Sequence, residues 1–263
     1  MARREGGNHR DVVVLRTAQE GWRKLYPANP FNAPVLEAAL FGRYPCVAVV
    51  DRTTDATQCV VKTNYIFTFV SPGADAQFVK EAIAKLLESG DDFGVVWPSE
   101  APGVLPKADA VVARFEFRDL DAGARPSVDV VPSGTRLERI DAQLLERCMW
   151  RDEMVRFAGS TTAFLRQGFG VVLLRGEEIL SEAYAAFLGN RIAEIGAVTA
   201  EPHRGKGYAT MTTAALIEEC QARDLAPRWT CNEANAASVA VARHLGFAAE
   251  RKYWIHVYSP QSA

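Results

Sequence analysis

Apolar and polar positions alternate in short runs through the first half of the chain. Residues 46–50 and 59–70 are rich in β-branched and aromatic side chains, and the polar stretch between them predicts a β-hairpin. Residues 75–87 carry apolar side chains at helical spacing, which predicts a helix that packs on this sheet. The first half also predicts two short, proline-interrupted helices within residues 19–41 and strands at residues 92–98 and 111–117.

The second half predicts a larger sheet. Apolar runs at residues 169–175, 178–188 and 191–199 are joined by tight polar turns, which predicts an antiparallel meander of three strands. A helix with one buried stripe is predicted to follow at residues 210–223. The remaining predicted elements are a strand at 136–140, helices up to residue 166, a strand at 229–231, a short helix between Asn235 and Gly246, and a last strand at 253–258.

A turn-rich segment at residues 121–134 separates the two patterns. We therefore predict a flexible tail at residues 1–10, an N-terminal α+β domain of unknown role at residues 11–120, a linker over the turn-rich segment, and a C-terminal domain at residues 135–263. The predicted fold class is α/β in the broad sense (α+β). A chain of 263 residues with 48% hydrophobic content is long enough to bury such cores.

Charge and hydropathy exclude several classes of function. The formal net charge is −2 and the basic residues are scattered, so the chain lacks the electrostatic footprint of a nucleic-acid binder. Its apolar runs fall far short of the roughly 20 residues that cross a bilayer, so no membrane association is predicted. The first ten residues lack the apolar stretch of a secretory signal. We therefore expect a cytoplasmic protein that acts on a small molecule or another protein.

The cysteines and histidines predict neither disulfides nor metal. The five cysteines form an odd set with no CxxC pair and with mostly apolar neighbours, which is typical of reduced, buried thiols. The four histidines share no metal-ligand spacing with one another or with the cysteines. We therefore expect no metal site.

The most informative segment is the glycine loop at residues 204–210, which joins a predicted strand to a predicted helix. Its two glycines let the main chain approach a ligand closely, and the helix presents unpaired N–H groups and its positive dipole end, an arrangement that suits a diphosphate. A nucleotide P-loop is excluded because Lys206 is followed by Gly207 instead of Ser or Thr. A dinucleotide fingerprint is disfavoured because Thr210 stands where the third glycine belongs.

The order of features around this loop resembles a known superfamily. In chain order they are Arg204, Gly207 and Ala209 of the pattern RxxGxA, the strand at 229–231, the helix cap Asn235, and the GlyPhe turn at 246–247. Over roughly residues 131–263 this order resembles the GNAT superfamily of N-acyltransferases, and within it a bacterial subgroup with an extra N-terminal domain. The resemblance implies a mixed, mostly antiparallel sheet flanked by helices, and a binding site for acyl-CoA.

The resemblance also implies which residues hold the coenzyme. The last strand of the meander should separate from the strand at 229–231, so that main-chain groups of residues 197–199 pair with the pantetheine arm. One N–H there would face the thioester carbonyl, and a bulge is expected beside Gly196. Asn235 and Ser238 would touch the coenzyme, although helix capping alone explains both. The predicted coenzyme-binding residues are Ala197, Val198, Thr199, Arg204, Gly205, Lys206, Gly207, Tyr208, Ala209, Thr210, Asn235 and Ser238.

Acyl transfer to an amine needs a base, because a lysine-like amine has a pKa of about 10.4. Glu194 is the predicted catalytic base, since several family members place a glutamate on this strand; the alternative is a solvated carboxylate on the sheet face. Glu182 on the preceding strand is the reserve candidate. Family members often carry a tyrosine on the Asn-capped helix as general acid, but this chain has Ala242 there. We leave the acid unassigned, with Tyr253 as one candidate.

These features predict an acyl-CoA-dependent N-acyltransferase. The expected reaction is direct transfer of acetyl from acetyl-CoA, the co-substrate, to a primary amine in a ternary complex. The alternative is a noncatalytic acyl-CoA-binding sensor or interaction module, which is suggested by Ala242 and by an N-terminal domain without recognisable chemistry. The acceptor is a small-molecule or peptide amine that the sequence does not name, and Asp152 and Glu153 either attract its charge or form a solvated helix face. A homodimer stays an open alternative.

Overall fold

The structure is a computed structural model that describes residues 12–121, 131–189 and 191–260. The predicted tail at residues 1–10 lies outside the described residues, as do residues 122–130 of the predicted linker. The described residues form one twelve-stranded sheet and seven α-helices, with short 3₁₀ helices at Glu20–Leu25 and Glu201–His203.

The strands are β1 (Val13–Leu15), β2 (Cys46–Val50), β3 (Cys59–Thr63), β4 (Phe67–Val70), β5 (Phe93–Trp97), β6 (Ala110–Leu120), β7 (Arg136–Arg139), β8 (Phe169–Arg175), β9 (Glu178–Gly189), β10 (Ile192–Thr199), β11 (Ala226–Asn232) and β12 (Phe247–Tyr258). The helices are α1 (Ala33–Leu40), α2 (Ala76–Leu87), α3 (Ala142–Leu145), α4 (Arg151–Ala158), α5 (Thr161–Gln167), α6 (Tyr208–Ala222) and α7 (Ala236–His244).

The two halves of the chain repeat one topology. In each half an antiparallel pair leads into an antiparallel meander, and a helix then leads to a strand parallel to the last strand of the meander, giving β1 to β5 and β7 to β11. The final strand of each half is exchanged, because β12 pairs with β5 and β6 pairs with β11. The sheet order is therefore β1-β2-β3-β4-β5-β12-β6-β11-β10-β9-β8-β7.

The predicted fold class and the mostly antiparallel sheet are confirmed, since β4–β5 and β10–β11 are the parallel pairs among the described strands. The predicted helix at residues 75–87 is α2, whose N-terminus is capped by the Asp75 side chain. The predicted strand at residues 59–70 is instead two strands, β3 and β4, separated by a turn at residues 64–66. The division into domains stays a prediction, although the sheet runs continuously across it.

Helices cover both faces of the second half of the sheet. On one face α6 packs through Leu216 on side chains such as Ile195 of β10. On the other face α1 and α4 pack through Leu36 and Phe157 on side chains such as Tyr184 of β9. Neighbouring strand positions thus enter different cores, as the alternation of side chains requires. Every helix within residues 12–121, 131–189 and 191–260 is too short or too polar to cross a membrane.

One buried carboxylate connects the exchanged strands with the segment before α1. Glu116 of β6 is 1% exposed, and its oxygens accept from the Asn32 main-chain N–H and from Arg251 Nε, each at 2.9 Å. The Arg251 guanidinium also donates to the main-chain carbonyls of Asn29 and Pro30 at 3.3 Å. This cluster fixes the approach to α1 against the centre of the sheet.

Replacing this carboxylate should destabilise the whole sheet. We expect Glu116→Gln to lower the free energy of unfolding by about 3 kcal/mol in urea denaturation, because it leaves the half-buried Arg251 guanidinium without its counter-ion. Glu233→Gln is the matched control, since Glu233 pairs with Lys252 between side chains that are 40% and 41% exposed. A surface pair of this kind contributes less than about 1 kcal/mol, so equal losses at the two sites would contradict the assignment.

Candidate active site

A cavity of about 770 Å³ opens where β10 and β11 separate. The parallel ladder between these strands ends at the Ile195–Trp229 pair, while β10 continues to Thr199 paired with β9 alone among the described strands. Main-chain groups on the other edge of residues 196–199 therefore have no strand partner. The predicted separation of the strands is confirmed, and an extended ligand fits such an edge by main-chain hydrogen bonds.

A bulge lies at the start of this open edge, but in β9 and not beside Gly196 of β10 as expected. The register of β10 against β9 passes from the Glu194–Phe187 pair to the Ile195–Ala185 pair, so β9 holds one extra residue. Side chains alternate along a regular strand, and Tyr184 and Phe187 would then face opposite sides. The extra residue turns both rings to the same side, where they line the cavity.

The glycine loop at residues 204–210 brings the start of α6 into the cavity, beyond the point where β10 and β11 separate. Gly205 and Gly207 have φ angles of 75° and 77°, a left-handed conformation that glycine adopts without strain. Gly207 directly precedes α6 and has no side chain to cap it, so the first N–H groups of the helix point out of the loop unpaired by a cap. The space beside both glycines is open. Together with the helix dipole, this geometry suits a diphosphate.

The predicted coenzyme residues converge on this cavity with one exception. Lys206 does not line it, and its Nζ donates to the main-chain carbonyl of Pro202 at 3.3 Å. Asn235 and Ser238 line it but also serve the protein, because Asn235 Oδ1 accepts from Ser238 N and Ser238 Oγ accepts from Trp229 Nε1, each at 3.1 Å. The predicted site residues that line the cavity are Glu194, Ala197, Val198, Thr199, Arg204, Gly205, Gly207, Tyr208, Ala209, Thr210, Asn235 and Ser238.

Glu194 lies beside the last paired residues of β10 and β11. Its Oε1 accepts from Thr230 Oγ1 at 2.7 Å, and its Oε2 is shielded from solvent without a hydrogen-bond partner in the described chain. Burial raises the pKa of Glu194 to about 8, although the Thr230 hydrogen bond and the Arg114 and Arg228 guanidinium groups act in the opposite direction. A carboxyl group with this pKa exchanges a proton near neutral pH, which suits a general base.

Glu182, the reserve candidate, has a structural role. It is fully buried, and its two oxygens accept from the main-chain N–H groups of Met149 and Trp150 at 2.8 Å. Glu182 thus caps the turn that leads into α4, and it does not line the cavity. Of the two carboxylates, Glu194 is the one that faces the cavity.

The fold of this chain agrees with comparisons to known proteins. A family model described as GNAT acetyltransferase matches residues 33–256. The chain belongs to the GNAT acetyltransferase family. The match includes first-half residues from α1 onward as well as the predicted coenzyme-binding segment.

Relatives of this GNAT chain support the same family and fold. The uncharacterized N-acetyltransferase YdfB of Bacillus subtilis (strain 168) is 31% identical over 128 residues, or 48% of this chain and 49% of YdfB, so the chain matches about half of that relative. A GCN5-related N-acetyltransferase-like protein from Streptococcus suis 89/1591 has a TM-score of 0.66 at 22% identity, covering 84% of this chain and 91% of that one. A tandem GNAT protein from the clavulanic acid biosynthesis pathway has a TM-score of 0.61 at 14% identity, covering 96% and 100%. The two solved structures show the fold alone.

The first half of this GNAT chain contributes cavity residues that our sequence analysis missed. Tyr65, Ile66 and Phe67 reach the cavity from the turn that divides β3 from β4, and Arg114 reaches it from the exchanged strand β6. The sequence contains only a weak signal for these residues, because Asn64 is a turn former inside an apolar run and Arg114 and Glu116 are the two charges inside another. The other missed lining residues include Trp150, Phe157, Tyr184, Phe187, His203, Thr230 and Asn232.

Neither position that the sequence analysis considered for a general acid, Ala242 or Tyr253, supplies one at the cavity. Ala242 is fully buried in the core between α7 and the sheet. Tyr253 is also fully buried and does not line the cavity, so it is not placed to protonate a leaving thiolate. Its hydroxyl accepts from Arg114 Nε at 2.8 Å and donates to Asn32 Oδ1 at 3.4 Å. Tyr253 therefore acts on the cavity only through Arg114.

No group of three or more potential metal ligands occurs in residues 12–121, 131–189 and 191–260. The expectation that the protein binds no metal stays a prediction. The five cysteines are all buried and unpaired in this structure. Burial raises the pKa of Cys231, which lines the cavity, so its sulfur stays a thiol near neutral pH.

The burial of Glu194 should make stability depend on pH. Glu194 ionises near pH 8 in the folded protein but near 4.3 in an unfolded chain, so the wild type loses stability as the pH rises through this window. Glu194→Gln cannot ionise and escapes this loss. The difference in free energy of unfolding, variant minus wild type, should therefore be more than about 1 kcal/mol larger at pH 8.5 than at pH 5. Urea denaturation at both pH values measures this change. The exposed Glu218 provides the control, and an equal change in Glu218→Gln would contradict the assignment.

Proposed function

We propose that this protein is an N-acetyltransferase that moves the acetyl group of acetyl-CoA directly to a primary amine while both molecules are bound. One observation carries the proposal: the β10–β11 ladder opens beside a glycine loop at a helix N-terminus, with Glu194 at the point of separation. An elongated thioester whose arm is joined to a nucleoside by a diphosphate matches each part of this arrangement.

The coenzyme would lie along the open edge of β10. The diphosphate would be held by Arg204 and by the main-chain N–H groups of residues 205–210, where the helix dipole favours an anion. The pantetheine arm would pair with main-chain groups of residues 197–199 on the open edge, where the Thr199 carbonyl also accepts from Arg204 Nε at 3.3 Å, and one N–H group there would face the developing oxyanion. The residues present fit this ligand, because both glycines leave open space and the edge of β10 has unpaired groups.

The reaction then needs little from side chains beyond Glu194. An ammonium acceptor loses one proton to the Glu194 carboxylate, and the free amine attacks the thioester carbonyl carbon. The carbon–nitrogen bond forms, the carbon–sulfur bond breaks, and the electron pair leaves with sulfur. The nitrogen then loses a second proton to solvent, which leaves the neutral amide, and the thiolate takes up a proton from solvent to give free CoA thiol. A thiol has a pKa of about 8.5, so its anion leaves without a dedicated acid, which agrees with the buried Ala242.

A noncatalytic acyl-CoA sensor is the second candidate. Ala242 favours it, because a buried alanine stands where family members often carry the tyrosine that acts as general acid. The two candidates differ in one measurement. A sensor binds acetyl-CoA without releasing free thiol in the presence of any amine.

Coenzyme binding should be sensitive to a negative charge at the start of α6. Ala209 lies in the first turn, where Asp stabilises a helix but repels a diphosphate. We expect Ala209→Asp to weaken acetyl-CoA binding by more than about tenfold in calorimetry, at about 1.4 kcal/mol per tenfold, without lowering the melting temperature. Ala209→Asn has the same shape and no charge, so it should bind more tightly than Ala209→Asp. Equal affinities would contradict a diphosphate at this helix.

Turnover should depend on the ionisation of Glu194. The wild-type kcat/KM for an amine should rise with pH and level off above about 8, because only the carboxylate form accepts a proton. Glu194→Gln should lower the plateau roughly a hundredfold and remove this step from the pH profile. Thiol release from acetyl-CoA measures both effects, and an unchanged acetyl-CoA affinity controls for folding. A profile that keeps its step in the variant would exclude Glu194 as the base.

A further inference from the structure

We propose that the acceptor is a free α-amino acid with an aromatic or other large apolar side chain, bound with its carboxylate on Arg114 and its amine beside Glu194. This inference rests on the proposed acetyl transfer and names the acceptor class for the same cavity. Three observations carry it: a guanidinium without an ionic partner, its short distance from Glu194, and a wall of aromatic rings.

Arg114 lines the cavity as a cation with only neutral partners. Its Nε donates to Tyr253 Oη at 2.8 Å, its Nη1 to Asn232 Oδ1, and its Nη2 to Thr230 Oγ1 at 3.4 Å. No carboxylate of the described residues forms an ion pair with it, in contrast to Arg251 on the neighbouring strand. These contacts use three of the five N–H groups of a guanidinium. A partly buried cation with two free donors favours an anion, and a carboxylate is the planar anion that it binds in a bidentate way.

The Thr230 hydroxyl sets the distance between the two charged ends of the ligand. Thr230 Oγ1 donates to Glu194 Oε1 at 2.7 Å and accepts from Arg114 Nη2 at 3.4 Å. Oε1 and Nη2 therefore lie no more than about 6 Å apart, which is about two hydrogen-bond lengths. A ligand that reaches both groups needs its amine and its carboxylate close together. An α-amino acid, with both groups on one carbon, meets this requirement.

Aromatic rings form the wall beside these polar groups. The ring centroids of Tyr65 and Phe157 are 4.3 Å apart, those of Phe157 and Phe187 are 4.7 Å apart, and those of Trp150 and Tyr184 are 5.9 Å apart. Glu194 is the sole acidic residue in the described lining of the cavity. Such a wall binds an apolar side chain, and it offers no counter-ions for a polyamine.

This arrangement gives the first half of the chain a specific role. Tyr65 lies in the turn between β3 and β4, Phe67 begins β4, and Arg114 belongs to β6. The first half thus supplies both the anion site and part of the wall. The predicted coenzyme residues all belong to the second half. The two halves thus divide the ligands between them, with acceptor selection assigned to the first.

Binding can be measured without turnover by loading the protein with free CoA. We would titrate the CoA-saturated protein with L-phenylalanine, L-tryptophan and L-leucine, and with the amide and the decarboxylated amine of each. At least one amino acid should bind more than about tenfold tighter than its two counterparts, and glycine should bind more weakly than all three. If no amino acid binds tighter than its amide while CoA binds normally, this inference is wrong and the proposed function stands. Failure to bind CoA would overturn both.

Variants of Arg114 separate carboxylate recognition from folding. The ratio of the Kd of the amide to the Kd of the amino acid should fall from more than about ten in the wild type to about one in Arg114→Gln. Arg114→Lys should keep part of this preference. Arg243→Gln removes a charge from an arginine that is 60% exposed and should leave the preference unchanged. Tyr65→Ala tests the wall at a half-buried position and should weaken the aromatic acids more than glycine. An equal loss for amino acid and amide in Arg114→Gln would show a purely structural Arg114.

Discussion

The exchange of the last strands is the constraint on which the cavity depends. Because β6 lies between β12 and β11, Arg114 of the first half hydrogen-bonds to Thr230 and Asn232 of the second. A half that kept its own last strand would present a different edge to its neighbour. The exchange fixes the position of one half relative to the other. The Glu116–Arg251 pair joins the two exchanged strands, β6 and β12.

The cavity itself follows from a ladder that stops early. Continued pairing of β10 with β11 would satisfy more main-chain groups, yet pairing ends at Ile195 and Trp229. The bulge opposite Glu194, the left-handed glycines of the loop and the start of α6 all lie within reach of this break. A local loss of sheet hydrogen bonds thus gives an edge where a ligand can supply the missing partners. Glu194 lies beside this break with its Oε2 shielded and without a hydrogen-bond partner in the described chain, and burial raises its pKa against the one hydrogen bond from Thr230.

Local patterns predicted most elements and the residues that we propose for the coenzyme, but not those that we propose for the acceptor. Periodicity located α2 and the β8–β10 meander, and the RxxGxA motif located the loop, because these features are set by neighbours in sequence. The apolar run at residues 59–70 hid a turn, since Tyr65 and Ile66 face a cavity that only the folded sheet creates. The role of Arg114 was equally hidden, because its partners come from β11 and β12, more than 110 residues away in the chain. The repeated topology has no repeated motif in the sequence, so strand exchange was beyond sequence reasoning.

The charges of the cavity explain why a zwitterion suits it better than a simple amine. In the free protein Glu194 is mostly protonated at neutral pH, because ionisation would place a shielded charge on a carboxyl group with one hydrogen bond. A carboxylate bound to Arg114 would neutralise the cation that now lowers the pKa of Glu194, and an ammonium group beside Glu194 would replace that influence at closer range. In the proposed complex, the ligand therefore holds Glu194 ionised while it presents the proton to be removed. A simple amine would leave the guanidinium without an anion and would place a second cation near it, so its ammonium group would gain less from Glu194 than that of a zwitterion.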